Sequence, residues 1–231
     1  MKSIIYIPAR SGSKRIKNKN IKYFNKKPLL YWTIDFALKF KDIKILISTD
    51  NLKWIRRIEK DYSNKLKNII INRRPKSLSM DKSNIIDAIN YDLKKLKIKN
   101  KNIKIMLLQP TSPFRNFQLI KKIHTKFIDK KNISIASFKP NKNSKNIFIQ
   151  NKNEILKKAF YLTANGNFYI CSLNLLRKFK SFINKNTFVH ISKNEYENID
   201  IDYKEEWKVA ENFLKNKNLP LHLHKRFSRD I

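Results

Sequence analysis

The 231-residue chain has two glycines, one cysteine and only 18 acidic residues, against 52 basic ones. Each scarcity excludes something. With Cys171 as the single thiol, no internal disulfide can form, and the chain suits a reducing compartment. No apolar run is long enough to cross a bilayer. The chain opens directly on a strand pattern, with no charged-then-apolar leader; the expectation is no secretion signal, no membrane and a cytoplasmic protein. Four histidines (His124, His190, His222, His224) show no ligand spacing with Cys171 or with paired acids. Nothing resembles a Ser-His-Asp or Cys-His set for covalent catalysis. Cys171, in a strand pattern after Tyr169 and Ile170, reads as a small core residue.

The shortage of acid leaves a net charge of +34. Dedicated nucleic-acid binding calls for a basic patch on one face or element. Here the lysines are spread along the whole chain, and Lys, Asn and Ile are abundant while Gly is rare, as A/T-biased codon drift would produce. The expectation is non-specific attraction of nucleic acid and other polyanions only. A basic nucleic-acid-binding protein without catalysis stays as the alternative from another class, although no motif with base-stacking aromatics is present.

The residues that are present organise around the amino end. Ile4-Ile5-Tyr6-Ile7 reads as a buried strand ended by Pro8. Arg10-Ser11-Gly12-Ser13-Lys14 follows, and from Arg10 to Lys22 there are six basic side chains and no acidic one. A strand ending in a cationic, hydroxyl-rich loop suits phosphates, and Gly12 is placed to allow close backbone approach. The spacing is not that of a Walker loop. The second glycine lies in Asn165-Gly166-Asn167.

Beyond the loop, the patterns alternate. Helices are predicted over 28–40, after Asn51 (with Leu52, Ile55, Ile58 and Tyr62 inward), over 85–96, over 117–130, over 173–179 and over 204–216. Strands are predicted over 43–48, 69–71, 103–108, 133–138 and 167–172, with Ile199-Asp200-Ile201-Asp202 as a brief alternating one. This succession argues an α/β fold with a mainly parallel sheet flanked by helices, one domain over 1–231. Over 139–164 the runs Ile147–Ile149 and Ala159–Leu162, around a turn at 151–153, suggest a small antiparallel excursion. In such sheets the ligand crevice lies off the C-terminal strand ends, so the loops after the first, second and fourth strands share one edge.

Two constellations carry chemistry. Asp200 and Asp202, two apart on an extended segment, point to one face about 6.5 Å apart and can converge on a hard cation such as Mg²⁺. Gln109-Pro110-Thr111-Ser112-Pro113, followed by Arg115, offers an amide, hydroxyls and a guanidinium at a strand end. That set suits a polyhydroxylated, carboxylated sugar, with Arg115 forking the carboxylate.

The opening IPARSGSKRIKNKN resembles that of the CMP-N-acylneuraminate synthetase (acylneuraminate cytidylyltransferase) family, with Ser11 and Arg15 where Gly is common and Lys17 where Pro is common. LLQPTSPFR, Asn165-Gly166 with Tyr169, and Ile-Asp-Ile-Asp before Glu205-Glu206-Trp207 are similar to further segments of that family. The resemblance implies a Rossmann-like sheet, a homodimer built through 139–164, and transfer of CMP from CTP to a nonulosonic acid with release of pyrophosphate. On it, Arg10, Gly12, Ser13, Lys14, Lys19 and Asn20 would cradle the triphosphate. Lys19 and Arg10 would be catalytic, Lys19 by stabilising the leaving group. Arg74 and Ser83 would face the nucleoside. Gln109, Thr111, Ser112, Arg115, Asn165 and Tyr169 would face the sugar, and Asp200 and Asp202 would hold Mg²⁺. Legionaminate, pseudaminate and octulosonate are the alternative sugars.

Overall fold

A computed structural model describes residues 1–141, 148–150, 156–158 and 162–215 of the chain, the two short middle pieces by backbone alone. The strands are β1 (Ser3–Pro8), β2 (Tyr23–Phe24), β3 (Lys27–Pro28), β4 (Lys44–Thr49), β5 (Ile69–Arg73), β6 (Lys104–Leu107), β7 (Ser134–Pro140), β8 (Phe148–Gln150), β9 (Leu156–Lys158), β10 (Leu162–Ser172) and β11 (Thr187–Ile191). The helices are α1 (Leu29–Ala37), α2 (Leu52–Asp61), α3 (Ile85–Lys95), α4 (Phe117–Phe127), α5 (Leu173–Phe179) and α6 (Lys204–Lys215).

Seven strands form one sheet in the order β11-β7-β10-β6-β1-β4-β5. β1 pairs in parallel with β4 and β6, β4 with β5, and β11 with β7; β10 runs antiparallel to both its neighbours. The mainly parallel α/β sheet expected from the alternation of patterns is therefore present. Alternation along β1 splits the core. Ile5 and Ile7 face a layer with α1, α2 and α4, while Ile4 and Tyr6 face one with α3 and α5. A third cluster joins Phe24, Trp32, Phe114, Ile201 and Trp207, and it docks α6 beside the sheet's loop edge. Trp207 lies edge-on to Phe24 at 5.4 Å.

Four details depart from the sequence expectations. In α2, Ile55, Ile58 and Tyr62 are buried as expected, but Leu52, at the first position after the Asn51 cap, is exposed, and Trp54 joins the buried face. The segment 199–202 is extended but joins no sheet; its Ile201 amide donates to Thr111 O at 2.8 Å. The edge strand β11 was not anticipated. In the excursion, β8 pairs antiparallel with β9 at Leu156–Lys158, whereas Leu162 opens β10. Ile147, 151–153, 159–161, Asn216, His222 and His224 lie outside the described residues. Among the described residues, no helix is long and apolar enough to cross a membrane.

Candidate active site

One cleft lies at the C-terminal edge of β1, β5 and β6. Arg10, Ser13, Lys19 and Asn20 line one side, Arg74, Ser79, Met80, Asp81 and Ser83 a second, and Gln109, Thr111, Asp200 and Asp202 the third. Ten of the sequence-assigned site residues thus meet: Arg10, Ser13, Lys19, Asn20, Arg74, Ser83, Gln109, Thr111, Asp200 and Asp202. Gly12 and Lys14 line an adjoining groove with Asp50 and Lys82.

The cup is built locally. After β1, the Asn20 side-chain amide donates to Arg10 O at 3.0 Å, closing the loop on itself. The Ser11 amide and hydroxyl both donate to Asp50, beyond β4, at 2.8 and 2.5 Å. Lys19 sits in a short 3-10 turn and is largely buried. Its ammonium donates to Ile201 O at 2.8 Å and to Asp202 Oδ1 at 2.7 Å. Arg15 reaches the other oxygen of Asp202 at 3.0 Å and stacks over Tyr203. Arg10 and Lys14 share Asp81, at 2.5 and 2.8 Å. Lys14 first, then Arg10, holds the Asp81 carboxyl below the usual range.

The two glycines differ in what the backbone asks of them: Gly12 adopts an ordinary conformation. Its φ is not positive, and an added Cβ would meet nothing within 4 Å. What the loop offers an anion among its described neighbours is charge, from Arg10, Lys14 and Lys19. Gly166 is the demanding position, with φ +74°. A Cβ there would lie 2.7 Å from Ser112 Oγ, 2.8 Å from Gln109 Oε1 and 3.0 Å from Asp200 Oδ2. The bulge in β10 between Ala164 and Tyr169 carries this glycine.

Four residues assigned to the sugar do not line this cleft. Ser112 is buried and donates to Asp200 Oδ1 at 3.3 Å. Asn165 is buried, its amide donating to Asn198 Oδ1 at 2.8 Å. Tyr169 packs against Phe182, ring centroids 5.7 Å apart, and burial raises its hydroxyl's pKa. Arg115 is fully buried, and its three nitrogens donate to Asn167 O, Thr33 Oγ1 and Gln109 O. Its fork is spent inside the protein, so it does not face the cleft to take a carboxylate.

Other groups complete the site. Arg74 donates through Nε to Ser79 Oγ at 2.8 Å, while its buried Nη1 has no hydrogen-bond partner among the described residues, a donor in want of an acceptor from the cleft. Glu206 accepts from the Asp202 and Tyr203 amides, at 2.6 and 2.8 Å, and starts α6. An acid three residues inside a helix start was a readable capping signal. Asn167 and Asn198 gave no comparable signal. Asp200 is driven above the ordinary carboxylate range, first by burial and further by Asp202, against hydrogen bonds from Thr111 and Ser112 and the Lys19 charge. Among the described residues, no three His, Cys, Asp or Glu side chains cluster as a metal cage. Two hard carboxylates in an open polar cleft fit a divalent cation that takes its remaining ligands from water and phosphate.

A sequence profile described as cytidylyltransferase matches residues 4–221. The chain belongs to the cytidylyltransferase family. It is 30% identical to CMP-N,N'-diacetyllegionaminic acid synthase of Legionella pneumophila, over 93% of this chain and 97% of that protein. It is 28% identical to N-acylneuraminate cytidylyltransferase of Streptococcus agalactiae, over 90% of this chain and 52% of that protein. The likeness to the Helicobacter pylori pseudaminic acid cytidylyltransferase and hydrolase is 36% over 45% of this chain and 19% of that protein. This cytidylyltransferase thus spans nearly the full length of the first relative, about half of the second and a fifth of the third. Its fold is similar to CMP:2-keto-3-deoxy-manno-octonic acid synthetase complexed with CTP (TM-score 0.63, 15% identity, 93% of this chain and 99% of that one). It is also similar to a putative glucose-1-phosphate thymidylyltransferase of Bacillus anthracis (TM-score 0.64, 12% identity, 96% and 99%).

Proposed function

We propose that this cytidylyltransferase joins CTP to a nonulosonic acid of the N-acylneuraminate type, giving the CMP-sugar and pyrophosphate. Legionaminate and pseudaminate are the nearest alternatives, since the relatives' names divide among these sugars. The observation that supports the reading most is the convergence of the Lys19 cup and the Asp200–Asp202 pair on one cleft. The sugar's anomeric hydroxyl attacks the α-phosphorus, and pyrophosphate leaves in line. Such transfer depends on positioning and charge neutralisation, without a covalent intermediate.

In this reading, Arg10, Ser13 and Lys19 bind the triphosphate, and Lys19 offsets charge on the leaving pyrophosphate. The unpartnered Arg74 Nη1 donates to the nucleoside, with Ser83 beside it. Gln109 and Thr111 offer amide and hydroxyl groups to the sugar. Asp200 and Asp202 would hold Mg²⁺, which supplies charge neutralisation to the phosphates when bound. We extend the reading to a single domain that forms a homodimer through 139–164 and works in the cytoplasm, binding nucleic acid only non-specifically. Sedimentation that found an active monomer would remove the dimer.

The test is pyrophosphate release with each of the four nucleoside triphosphates and a panel of nonulosonates, with an octulosonate included. Release with CTP and one nonulosonate supports the proposal. Release with no acid, or equally with all four nucleotides, defeats it.

A further inference from the structure

Arg115 raises a question the reaction alone does not answer. A cation with 1% exposure is expensive to bury. Its Nη2 donates to Gln109 O at 2.5 Å, its Nε to Asn167 O at 2.7 Å, and its Nη1 to Thr33 Oγ1 at 3.0 Å. Among the described residues no carboxylate forks it, and Asp200 acts on it only through space. These three acceptors sit on three separate pieces of the fold: the loop after β6, the β10 bulge, and α1.

Two of the acceptors flank the corner where the site's oxygens crowd. Gln109 carries one of the three side-chain oxygens around Gly166, and Asn167 is the residue after that glycine. Asn167 in turn donates to Phe114 O at 2.8 Å and to Glu197 O at 3.0 Å, and Asn165 donates to Asn198. The bulge is therefore pinned to the loop after β6 and to the turn at Glu197 and Asn198. Among the described residues, no hydrogen bond joins this network to Arg10 or Arg74, on the phosphate and nucleoside sides.

We propose that Arg115 is a positioning residue for the acid-sugar half of the cleft, fixing Gln109 and the 165–167 bulge beneath it, while leaving the nucleotide half unaffected. This rests on the nonulosonate reading above. It differs from direct carboxylate recognition: Arg115 acts from behind the surface.

The experiment compares the wild type with Arg115→Lys, Thr33→Val and Thr33→Ser. Arg115→Lys keeps the charge but loses the planar fork. Thr33→Val nearly preserves shape and removes one acceptor, and Thr33→Ser restores the hydroxyl. KM for the acid and kcat come from pyrophosphate release, CTP binding from calorimetry, and folding from Tm. The expectation for Arg115→Lys is a rise of about 10–100-fold in KM for the acid, or an equal fall in kcat. Thr33→Val shifts the same constants less, Thr33→Ser returns them to wild-type values, and CTP affinity stays within about two-fold throughout. CTP and acid constants that worsen together in step with Tm, or acid constants unmoved in both Arg115→Lys and Thr33→Val, overturn the inference. Should Arg115→Lys fail to fold, the two Thr33 variants decide. A wild type that turns over no acid instead defeats the functional reading, and the inference falls with it.

Discussion

Lys19 Nζ and Asp202 Oδ1 lie 2.7 Å apart although 183 positions separate them in sequence. The contact joins the loop after β1 to the segment before α6. The clustering of Phe24, Ile201 and Trp207 holds it, since Ile201 points into that cluster while Asp200 and Asp202 line the cleft. Two tests follow from it. Lys19→Met removes the buried ammonium from the cationic cup and, on the proposed reaction, should lower kcat by about 10²–10³-fold with the fold intact. Asp202→Asn keeps the shape but should abolish the divalent-dependent part of pyrophosphate release, read from a Mg²⁺ titration. Full turnover by Asp202→Asn would refute the cation assignment.

The two glycines should behave in opposite ways. Gly166→Ala places a methyl within 3.0 Å of Ser112, Gln109 and Asp200, at a positive φ that itself costs an L-residue roughly 1–2 kcal/mol. Loss of turnover is expected, with a lower Tm. Gly12→Ala enters open space at an unstrained φ, and activity and Tm should stay near wild-type values. Paired melting curves and rate assays check this. A tolerated Gly166→Ala would show that the corner has slack the geometry does not suggest.

The contrast between these glycines shows what the sequence could carry. The alternating β1 pattern, the helix faces and the cationic run are local, and local periodicity is what a single sequence displays most clearly. The convergence on one cleft was legible because parallel strands put their following loops on one edge. Long-range roles were not legible. That Arg115 would be spent on three internal acceptors, that the Asp81 carboxylate would bridge Arg10 and Lys14, and that Asn167 would anchor Glu197 all depend on tertiary neighbours. Leu52 illustrates a nearer failure. Helical spacing marked it inward, but it stands at the helix's first position, beyond the edge of the core that takes Trp54, Ile55 and Ile58.

Behind the Arg74 side of the cleft, Asp92 on α3 is fully buried, accepting from Tyr6 at 2.7 Å and from the Asn72 amide. Burial, and then the Asp92 charge, raises the Tyr6 pKa, so its hydroxyl stays protonated and donating. Asp92→Leu strands both donors, at about 1–3 kcal/mol each. Denaturant unfolding should show a loss of that order, smaller for Asp92→Asn, which keeps one acceptor. A loss below about 0.5 kcal/mol for Asp92→Leu, the range of ordinary surface changes, would mean that water or rearrangement rescues the donors.

Two histidines set a pH dependence of stability. Burial lowers the pKa of His124, which meets Ser3 Oγ at 3.0 Å, and of His190, whose buried Nε2 has no hydrogen-bond partner. For His190 the nearby Glu197 charge opposes the shift without cancelling it. The sign follows from proton binding. Below the unfolded value of 6.5, the unfolded chain takes up protons that the native state refuses. Stability should therefore fall as pH drops from 6.5 toward the folded values, and this contribution should level off beneath them. Scanning calorimetry from pH 7.5 to 5, at about 0.15 M salt to screen the general charge repulsion, should show Tm falling with pH. His124→Gln should flatten that slope, and the His124→Gln/His190→Gln double variant should flatten it further. An unchanged slope in the double variant would assign the acid sensitivity to other groups.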